Sequence, residues 1–422
     1  MSTYKQSVFG EIPNTWDVIE ADKYCEKVTD GTHDSPKQTA EGYPLITSRH
    51  IKGHKIDFDN AYLISKEDYD HINKRSYVSQ WDVIISMIGE YCGFTYLEEK
   101  SDINYAIKNV GLFKTGDELK SKWLYYFFQS KYTNHLLHTY RSGTSQPYLA
   151  LGVLRKFPIL IPQNHEEKES IVAILDSLRK KIKLLQAQNK TLEAMAQTIF
   201  KEWFGKYQIG DDLPEGWRVG KLGDVIDLQS GFSHNTKVSG GTKVKIAKMG
   251  VVDGKNFFNR RSVINYSETI DSKYKLKEDD IIVSTRDVTR DKLIIGNVSL
   301  IPDDLANFGL YAGSNTWIIK TDLNQYYLFL LLRNRNFRHH IIQSSKGSTI
   351  VMITRDAFLN CPLIFPHENV LLDFINTIDP IFKKIKNNNS TIQSLTKTRD
   401  TLLPKLMSGQ VRVNNIKQTA DA

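Results

Sequence analysis

Short clusters of basic, amide and hydroxyl-bearing side chains are the residues of this chain most capable of chemistry. They occupy SRHIKGHK (48–55), NRRS (259–262), STRDVTRDK (284–292), DGTHDSP (30–36) and SGTSQP (142–147). Arginine offers a bidentate fork for guanine edges and phosphates, whereas lysine, hydroxyl and amide groups hold a nucleic-acid backbone. We therefore select as candidate contacts Thr32, His33, Ser48, Arg49, His50, Lys52, Arg141, Ser142, Thr144, Gln146, Arg260, Arg261, Arg286, Arg290, Lys292, Lys346 and Ser348. Taken singly, each is better explained as an exposed side chain without a partner; as sets repeated on both copies they favour recognition.

Several stretches resemble catalytic motifs, but each lacks an essential part. GVVDGKN (250–256) is too short for a phosphate-binding loop, and Asn stands where a Mg²⁺-binding Ser or Thr belongs. DPIF (379–382) lacks the second proline of the adenine-methyltransferase tetrapeptide, HEEKE (165–169) is not HExxH, and LEEK (97–100) has no upstream Pro-Asp. We predict no catalytic residue, no metal site and no cofactor in this chain.

Composition indicates a globular protein with more than one domain. The chain has 422 residues, 40% of them apolar and 25% charged, and a net charge of +8. This mild basic excess is compatible with a polyanionic partner. Three widely separated cysteines, a polar N-terminus and no apolar run long enough to cross a bilayer predict a cytoplasmic protein without membrane contact.

The chain contains two copies of one pattern. IPNTWDV (12–18) returns as LPEGWRV (213–219), with the two tryptophans 201 residues apart. RSGTSQPYLALGVLRKFPILIP (141–162) returns as SKGSTIVMITRDAFLNCPLIFP (345–366), with its glycine and two prolines shifted by 204 residues. Both copies mix short β-rich runs with helical patches. The repeats therefore indicate a tandem duplication of an α+β domain.

Each copy is followed by a long amphipathic helix. Apolar residues recur every seven positions, a pattern typical of helices that pack on another helix. The predicted seam consists of Ile171, Leu178, Leu185, Leu192 and Ile199 in the first helix and of Phe374, Ile381, Asn388, Leu395 and Leu402 in the second. Asn388 interrupts the apolar seam, and a polar seam residue can fix the register of a helix pair.

These elements predict the following order along the chain. Residues 1–164 form recognition domain 1, 165–207 a first long helix, 208–366 recognition domain 2, 367–411 a second long helix and 412–422 a flexible tail. We expect two α/β recognition domains of an α+β protein, separated by long helices that form an antiparallel coiled coil with pseudo-twofold symmetry. Two such domains at a fixed separation would read two half-sites at a fixed spacing.

The order and repetition of these motifs resemble the specificity subunit of type I restriction–modification systems. The resemblance covers nearly the whole chain and rests on LPEGW-x-V-x-x-LGDV (213–225), DGTHDSP (30–36), the repeated G-[ST]…P-x-x-x-P segment and the helix endings LEAMAQTIFKEWF (192–204) and TRDTLLPKLMSGQV (398–411). It implies that each domain recognises one half of an asymmetric, bipartite double-stranded DNA target. The first copy departs from the pattern, with EADKYC (20–25) in place of LGDVID.

The resemblance also implies partners. Two modification subunits would methylate adenine with S-adenosylmethionine, and restriction subunits would translocate and cleave DNA with ATP and Mg²⁺; this non-catalytic chain would bind none of these cofactors. A scaffold that organises two partner proteins without reading DNA remains the alternative. An autonomous nuclease or methyltransferase would need the catalytic motifs that are missing above.

Overall fold

The computed structural model describes residues 3–53, 55–143, 146–233, 242–254, 256–289, 292–347 and 349–413. The chain divides into two compact units, the first formed by Met1–Lys181 with Leu395–Ala422 and the second by Ile182–Ser394. Three candidate contacts, Thr144, Arg290 and Ser348, lie outside the described residues.

The first unit is a mixed α/β unit. Its strands are β1 (Tyr4–Ser7), β2 (Gly10–Pro13), β3 (Trp16–Glu20), β4 (Lys27–Asp30), β5 (Tyr43–Thr47), β6 (Ile51–Lys52), β7 (Lys55–Ile56), β8 (Leu63–Ile64), β9 (Val83–Ser86), β10 (Thr95–Leu97), β11 (Ala106–Lys108), β12 (Val110–Lys114) and β13 (Pro158–Pro162). Its helices are α1 (Ala21–Tyr24), α2 (Lys66–Ser76), α3 (Glu118–Phe128), α4 (Lys131–Tyr140), α5 (Leu151–Arg155) and the start of α6 (His165–Phe204).

The second unit uses the same kinds of element. Its strands are β14 (Arg218–Lys221), β15 (Asp227–Ser230), β16 (Val244–Ala247), β17 (Val263–Tyr266), β18 (Ile281–Ser284), β19 (Arg286–Asp287), β20 (Val298–Leu300), β21 (Leu310–Ala312), β22 (Thr316–Lys320), β23 (Val351–Met352) and β24 (Pro362–Phe365). Its helices are α7 (Asp303–Phe308), α8 (Gln325–Arg333), α9 (Arg335–Ser344), α10 (Arg355–Leu359) and most of α11 (Glu368–Met407).

The two units share one sheet topology, which confirms the duplication. An antiparallel sheet of order β10-β9-β12-β4 in the first unit matches β20-β18-β22-β15 in the second. The mixed sheet β11-β5-β8 matches β21-β16-β17, and in both the first pair is parallel. The strand that follows each tryptophan motif pairs with the last strand of its copy, as β3 with β13 and β14 with β24. The predicted α+β class is confirmed.

Central strands of both units are buried on both faces, which explains their composition. β9 reads Val-Ile-Ile-Ser and β18 reads Ile-Ile-Val-Ser, and all four residues of each are buried. β-branched side chains pack well on a pleated surface and favour the extended backbone. A sheet with helices or loops over both faces therefore needs continuous apolar runs rather than an alternating pattern.

The long helices pack antiparallel within each unit. In the second unit, Phe200 of α6 meets Phe374 of α11 at 5.7 Å between ring centroids, whereas the earlier Asn189 meets the later Asn388. In the first unit, Ile171 and Leu175 share a core with Leu406. The helix bounds, 165–204 and 368–407, begin within one residue of the predicted starts and end three to four residues earlier.

The deepest burial on α6 lies partly on a different row from the predicted seam. Of the predicted residues, the buried ones are Ile171, Leu185, Phe374 and Asn388, and the half-buried ones are Leu178, Leu192, Ile199, Ile381, Leu395 and Leu402. The neighbouring row Leu175, Ile182, Asn189 and Ala196 is buried throughout. Both rows are needed because α6 packs on the sheets and helices of the units as well as on α11.

A buried layer of amides joins the two helices in the second unit. The Asn388 amide nitrogen donates to Gln188 Oε1 at 2.9 Å and to Asn189 Oδ1 at 2.8 Å, and Asn189 donates to Asn389 Oδ1 at 2.8 Å. Asn388 is only 2% exposed. Because a shifted register would leave these amides buried without partners, the layer favours one alignment of the helices.

We expect Asn388→Ala to destabilise the helix pair of the second unit by about 1–3 kcal/mol, since it leaves the buried Asn189 acceptor unsatisfied. Hydrogen exchange of the amides in 182–204 and 368–394 measures this local stability. Asn387→Ala, the same change at an exposed position one residue earlier, is the matched control and should leave protection unchanged. Equal exchange in the two variants would contradict a register-setting role.

Candidate nucleic-acid interface

Five segments of the first unit meet at one edge of its sheets and form a surface that we call the first loop face: 30–36, 47–50, 86–94, 108–109 and 141–143 with 146–149. Backbone hydrogen bonds join two pairs of these segments. Asn109 donates to the Thr32 carbonyl at 3.2 Å, and Gly89 donates to the Pro147 carbonyl at 2.9 Å. The face thus brings together candidate contacts that are more than a hundred residues apart in the sequence.

Ser48 joins three of these segments through its hydroxyl. The hydroxyl donates to the Asn109 carbonyl at 2.8 Å and accepts the amides of Met87 at 3.1 Å and Ile88 at 3.2 Å. Ser48 is buried. Its side chain therefore holds the loops of the first loop face together from the interior of the unit.

Thr32 and His33 stabilise the adjoining loop. Thr32 is buried and its hydroxyl caps the turn at Asp34, accepting the Asp34 amide at 3.1 Å. His33 is exposed, and its ring lies 2.9 Å from Asn109 Oδ1 and 3.1 Å from Asp30 Oδ2. The buried Asp30 carboxylate is also paired with Arg75 of α2. His33 is thus exposed while both of its ring nitrogens contact polar groups of the first loop face.

The predicted basic stretch after β5 divides into inward and outward side chains. His50 is 1% exposed, accepts the Thr47 amide at Nδ1 at 2.9 Å and places Nε2 at 3.1 Å from the Asn60 carbonyl. Burial and the neighbouring Arg49 charge lower the pKa of His50, which favours the neutral ring. Arg49 is exposed, and Lys52 pairs with Asp57 at 2.6 Å.

The described residues of the SGTSQP segment, 142–143 and 146–147, belong to the first loop face. Ser142 and Tyr148 form a bridge across it, and Tyr148 also bridges to Ile88. Arg141 is held by the Cys92 carbonyl, whereas Ser142 and Gln146 are exposed. Ser142, Gln146 and Tyr148 therefore expose a hydroxyl, an amide and an aromatic group on the same surface.

The second unit builds the same surface with different side chains, and we call it the second loop face: 230–232, 284–289, 292–297, 313–316 and 346–347 with 349–353. Arg286 pairs with Met352 where Ile88 pairs with Tyr148 in the first unit, and Lys346 bridges to Met352 where Ser142 bridges to Tyr148. A concave cavity of about 300 Å³ opens beside Arg286. Arg286 and Lys346 are exposed.

One glycine in each unit allows the backbones of these faces to approach closely. A Cβ on Gly31 would lie 2.3 Å from the Ile107 carbonyl oxygen, and a Cβ on Gly231 would lie 2.2 Å from that of Gly313. No side chain fits at such a distance. Asn109 and Asn315 occupy equivalent turns, both with left-handed backbones at φ 53° and 62°. The scaffold of the two faces is thus the same.

A buried carboxylate organises the basic loop of the second loop face. Asp287 is 0% exposed and accepts the amides of Ile294 at 2.7 Å, Ile295 at 3.0 Å and Thr289 at 2.6 Å. Lys292, in the same loop, is half-buried with a left-handed backbone at φ 51°. The buried Asp287 carboxylate therefore holds the loop that carries Arg286 and Lys292 through the backbone amides of that loop.

Arg260 and Arg261 lie on a different element from Arg286. The Arg260 guanidinium forms a bidentate pair with Asp304 of α7 at 2.5 and 2.8 Å, and Arg261 is exposed nearby. The structure does not place these two arginines among the segments of the second loop face.

Sequence reasoning missed the exposed apolar side chains of both faces. Tyr148 is 45% exposed, and its equivalent Met352 is 44% exposed; Phe94 and Ile350 are also exposed. The signal was present, since Tyr148 stands within the quoted repeat, but an apolar side chain in such a motif is more often core.

Other kinds of site are not found in the part of the chain that the structure describes. Within those residues, no group of three or more His, Cys, Asp or Glu side chains could hold a metal ion. Among the described helices, none has the length and apolarity needed to cross a membrane. Cys25, Cys92 and Cys361 are buried free thiols, and burial raises the pKa of each of them.

We expect Ser48→Ala to loosen the first loop face, because it removes the acceptor for the Met87 and Ile88 amides at a cost of about 1–3 kcal/mol. Hydrogen exchange at those two amides should accelerate roughly tenfold or more. Ser142→Ala, an exposed serine on the same face, should leave both rates unchanged. Unaltered exchange in Ser48→Ala would show that other contacts hold these loops.

Comparison with known proteins identifies the relatives of this chain. The type I restriction enzyme MjaIX specificity subunit of Methanocaldococcus jannaschii is 26% identical, and the match covers 98% of this chain and 97% of that protein. The MjaVIII specificity subunit of the same organism is 24% identical, with 99% of each chain covered. The crystal structure of a type I restriction-modification system S subunit from M. genitalium has the same fold, with a TM-score of 0.53 at 14% identity over 93% of this chain and 96% of that one.

The family described as type I restriction modification DNA specificity domain matches twice, at residues 13–194 and 214–401. Each match spans one copy of the duplicated pattern and enters the long helix that follows it. The two matches together cover most of the chain, and each contains one of the two loop faces. The protein therefore belongs to the type I restriction modification DNA specificity domain family, with one family domain for each of its two structural repeats.

Proposed function

We propose that this chain is the DNA sequence-specificity subunit of a type I restriction–modification complex. Each loop face reads one half of an asymmetric, bipartite double-stranded target, and the long helices set the spacer between the halves. The chain itself catalyses nothing. It directs two modification subunits, which carry S-adenosylmethionine and methylate adenine, and restriction subunits that use ATP and Mg²⁺. The complex acts in the cytoplasm, where its DNA target lies.

One observation supports this proposal above the others: equivalent positions on the same scaffold carry different chemistry. Ile88 corresponds to Arg286, Tyr148 to Met352 and Ser142 to Lys346. An enzyme that duplicated its active site would keep the reacting groups in both copies, whereas two readers of unlike sequences need a fixed backbone with different side chains. Arg286 can offer a fork to guanine, and Tyr148 an apolar edge to a thymine methyl.

The charge at the second loop face fits a DNA backbone. Arg286 and Lys346 are both exposed on neighbouring backbone segments. Their partner on the strand pair, Met352, is also exposed, so the two cations flank an apolar side chain. Phosphate contacts would position the duplex while Arg286 and Met352 meet base edges.

We expect Arg286→Ala in the assembled complex to relax base preference in one half-site only, at about 1–3 kcal/mol for each lost bidentate contact. Adenine methylation of a randomised-site library, sequenced base by base, measures this. Lys320→Ala, which removes an exposed lysine of β22 outside the loop face, is the control. Unselective methylation by the native complex, or unaltered specificity after replacing residues 12–163, would instead support a scaffold that does not read DNA.

The helices provide a separate test of spacing. Four residues, about one turn, are inserted into α6 between 181 and 182 and into α11 between 394 and 395, where the two units divide. Both insertions are made together to preserve helix pairing. We expect the target spacer to lengthen by one to two base pairs, because a turn adds about 5.4 Å and a base pair about 3.4 Å, with both half-sites unchanged. A native spacer in the same methylation assay would refute this role of the helices.

A further inference from the structure

The second unit contains an open groove that its loop face does not use. The groove has a volume of about 610 Å³ and lies between α9, the end of α6 and β24. Its floor is apolar and aromatic, with Phe204, Trp217 and Leu331, and its rim carries Arg335, His339 and His340. Trp217 is half-buried, and Ile209, also in the wall, is 53% exposed. An aromatic floor of this size left open to solvent is typical of a binding surface.

The same place in the first unit is filled by the chain itself. Phe127 and Tyr132 occupy the positions of Leu331 and Asn336, 204 residues earlier. Phe9 packs edge-on against Phe127 at 5.7 Å between ring centroids, and the Gln410 amide donates to the Tyr132 hydroxyl at 3.0 Å. Trp16, the counterpart of Trp217, is accordingly 0% exposed.

The element that fills the first groove has no counterpart among the described residues that precede β14 in the second unit. Phe9 belongs to the turn of the β1–β2 hairpin, which precedes the first tryptophan motif. The described residues 205–217, which precede β14, contain no strand. The hairpin is fixed in place, since Lys5 pairs with Asp17 at 3.3 Å and donates to the Asn14 carbonyl at 3.3 Å. A second copy's hairpin would have to leave these contacts to reach the open groove.

We infer that the groove of the second unit binds a segment of a modification subunit, with an aromatic side chain in the place that Phe9 fills in the first unit. The inference rests on the proposed function, which supplies that partner. Cationic Arg335, with the two histidines beside it, favours carboxylates next to the aromatic anchor. Because only one of the two grooves is open, the two modification subunits make unequal contacts with this chain.

Site-specific cross-linking of the purified complex identifies the occupant. A photoreactive p-benzoylphenylalanine replaces Asn336, an exposed residue of the groove, and in a control it replaces the equivalent Tyr132 of the filled groove. We expect the Asn336 probe to capture a segment of the modification subunit that contains an aromatic and an acidic residue. The Tyr132 probe should capture residues of this chain. Capture by the Asn336 probe of residues 4–13 of a second copy or of residues 414–422 of this chain, or no capture at all, would overturn the inference.

An affinity measurement separates this inference from the proposed function. Ile209→Glu places in the groove a carboxylate that would repel the acidic residue expected in the partner segment. Val8→Glu makes the same kind of change at a position that is 61% exposed on the β1–β2 hairpin. In native mass spectrometry titrations with purified modification subunit, Ile209→Glu should weaken binding of one subunit at least tenfold and Val8→Glu should not. Equal affinities for both variants and the native chain would sink the groove assignment while leaving the specificity role intact. Failure of the native chain to bind any modification subunit would refute the proposed function itself.

Discussion

Each recognition unit depends on apolar packing against a helix segment that belongs to the other sequence repeat. The core of the first unit includes Leu403, Leu406 and Met407, from the last turns of α11, packed with Trp16 and Ile171. The core of the second includes Ala196 and Phe200 of α6, packed with Phe374 and Ile378. Burying such side chains contributes about 1.5–3 kcal/mol each. Neither copy therefore completes its core from a contiguous stretch of chain, and the helix pair is part of both folds.

Buried ion pairs also join the long helix α6 to the first unit. Glu167, near the start of α6, accepts the Trp16 indole at 3.3 Å and pairs with Arg412 at 2.5 Å, beyond the end of α11. Asp176 of α6 pairs with Lys122 of α3 at 2.9 Å. Lys122, together with Arg179 and Lys180, holds the pKa of Asp176 well below its usual range despite its burial. Charges buried this deeply are tolerated only with such partners. They tie the helix to the domain in one register, as the amide layer at Asn388 ties helix to helix.

Sequence reasoning predicted the parts of the fold that periodicity encodes. The repeated tryptophan and glycine–proline motifs indicated the duplication, and the heptads indicated both long helices. Periodicity alone could not show that α6 buries the row of Leu175, Ile182, Asn189 and Ala196, because a helix with partners on two sides has two apolar stripes. It also could not show the β1–β2 hairpin, which breaks the symmetry of the repeats, since the described residues 205–217 before β14 contain no strand.

The candidate site was predicted less completely, and the reason is chemical. A serine that contacts DNA and a serine that holds two loops together have the same side chain. Ser48 and His50 stand in a basic stretch typical of nucleic-acid contacts, yet their polar atoms engage backbone groups of the same unit. Only the fold shows which side chains of the stretch, such as Arg49, remain exposed.

Backbone contacts and the buried side chains of Ser48 and Asp287, rather than exposed side chains, maintain the two loop faces. Gly31 and Gly231 permit the close approach of chain segments, and Asn109 and Asn315 make the same left-handed turn. Exposed positions on this scaffold, such as Tyr148 and Met352, carry little of the packing. Substitution there changes the chemistry offered to a ligand at little cost in stability. Because different residues keep the fold and face a ligand, the two copies can acquire different exposed side chains while both keep the fold that pairs the long helices.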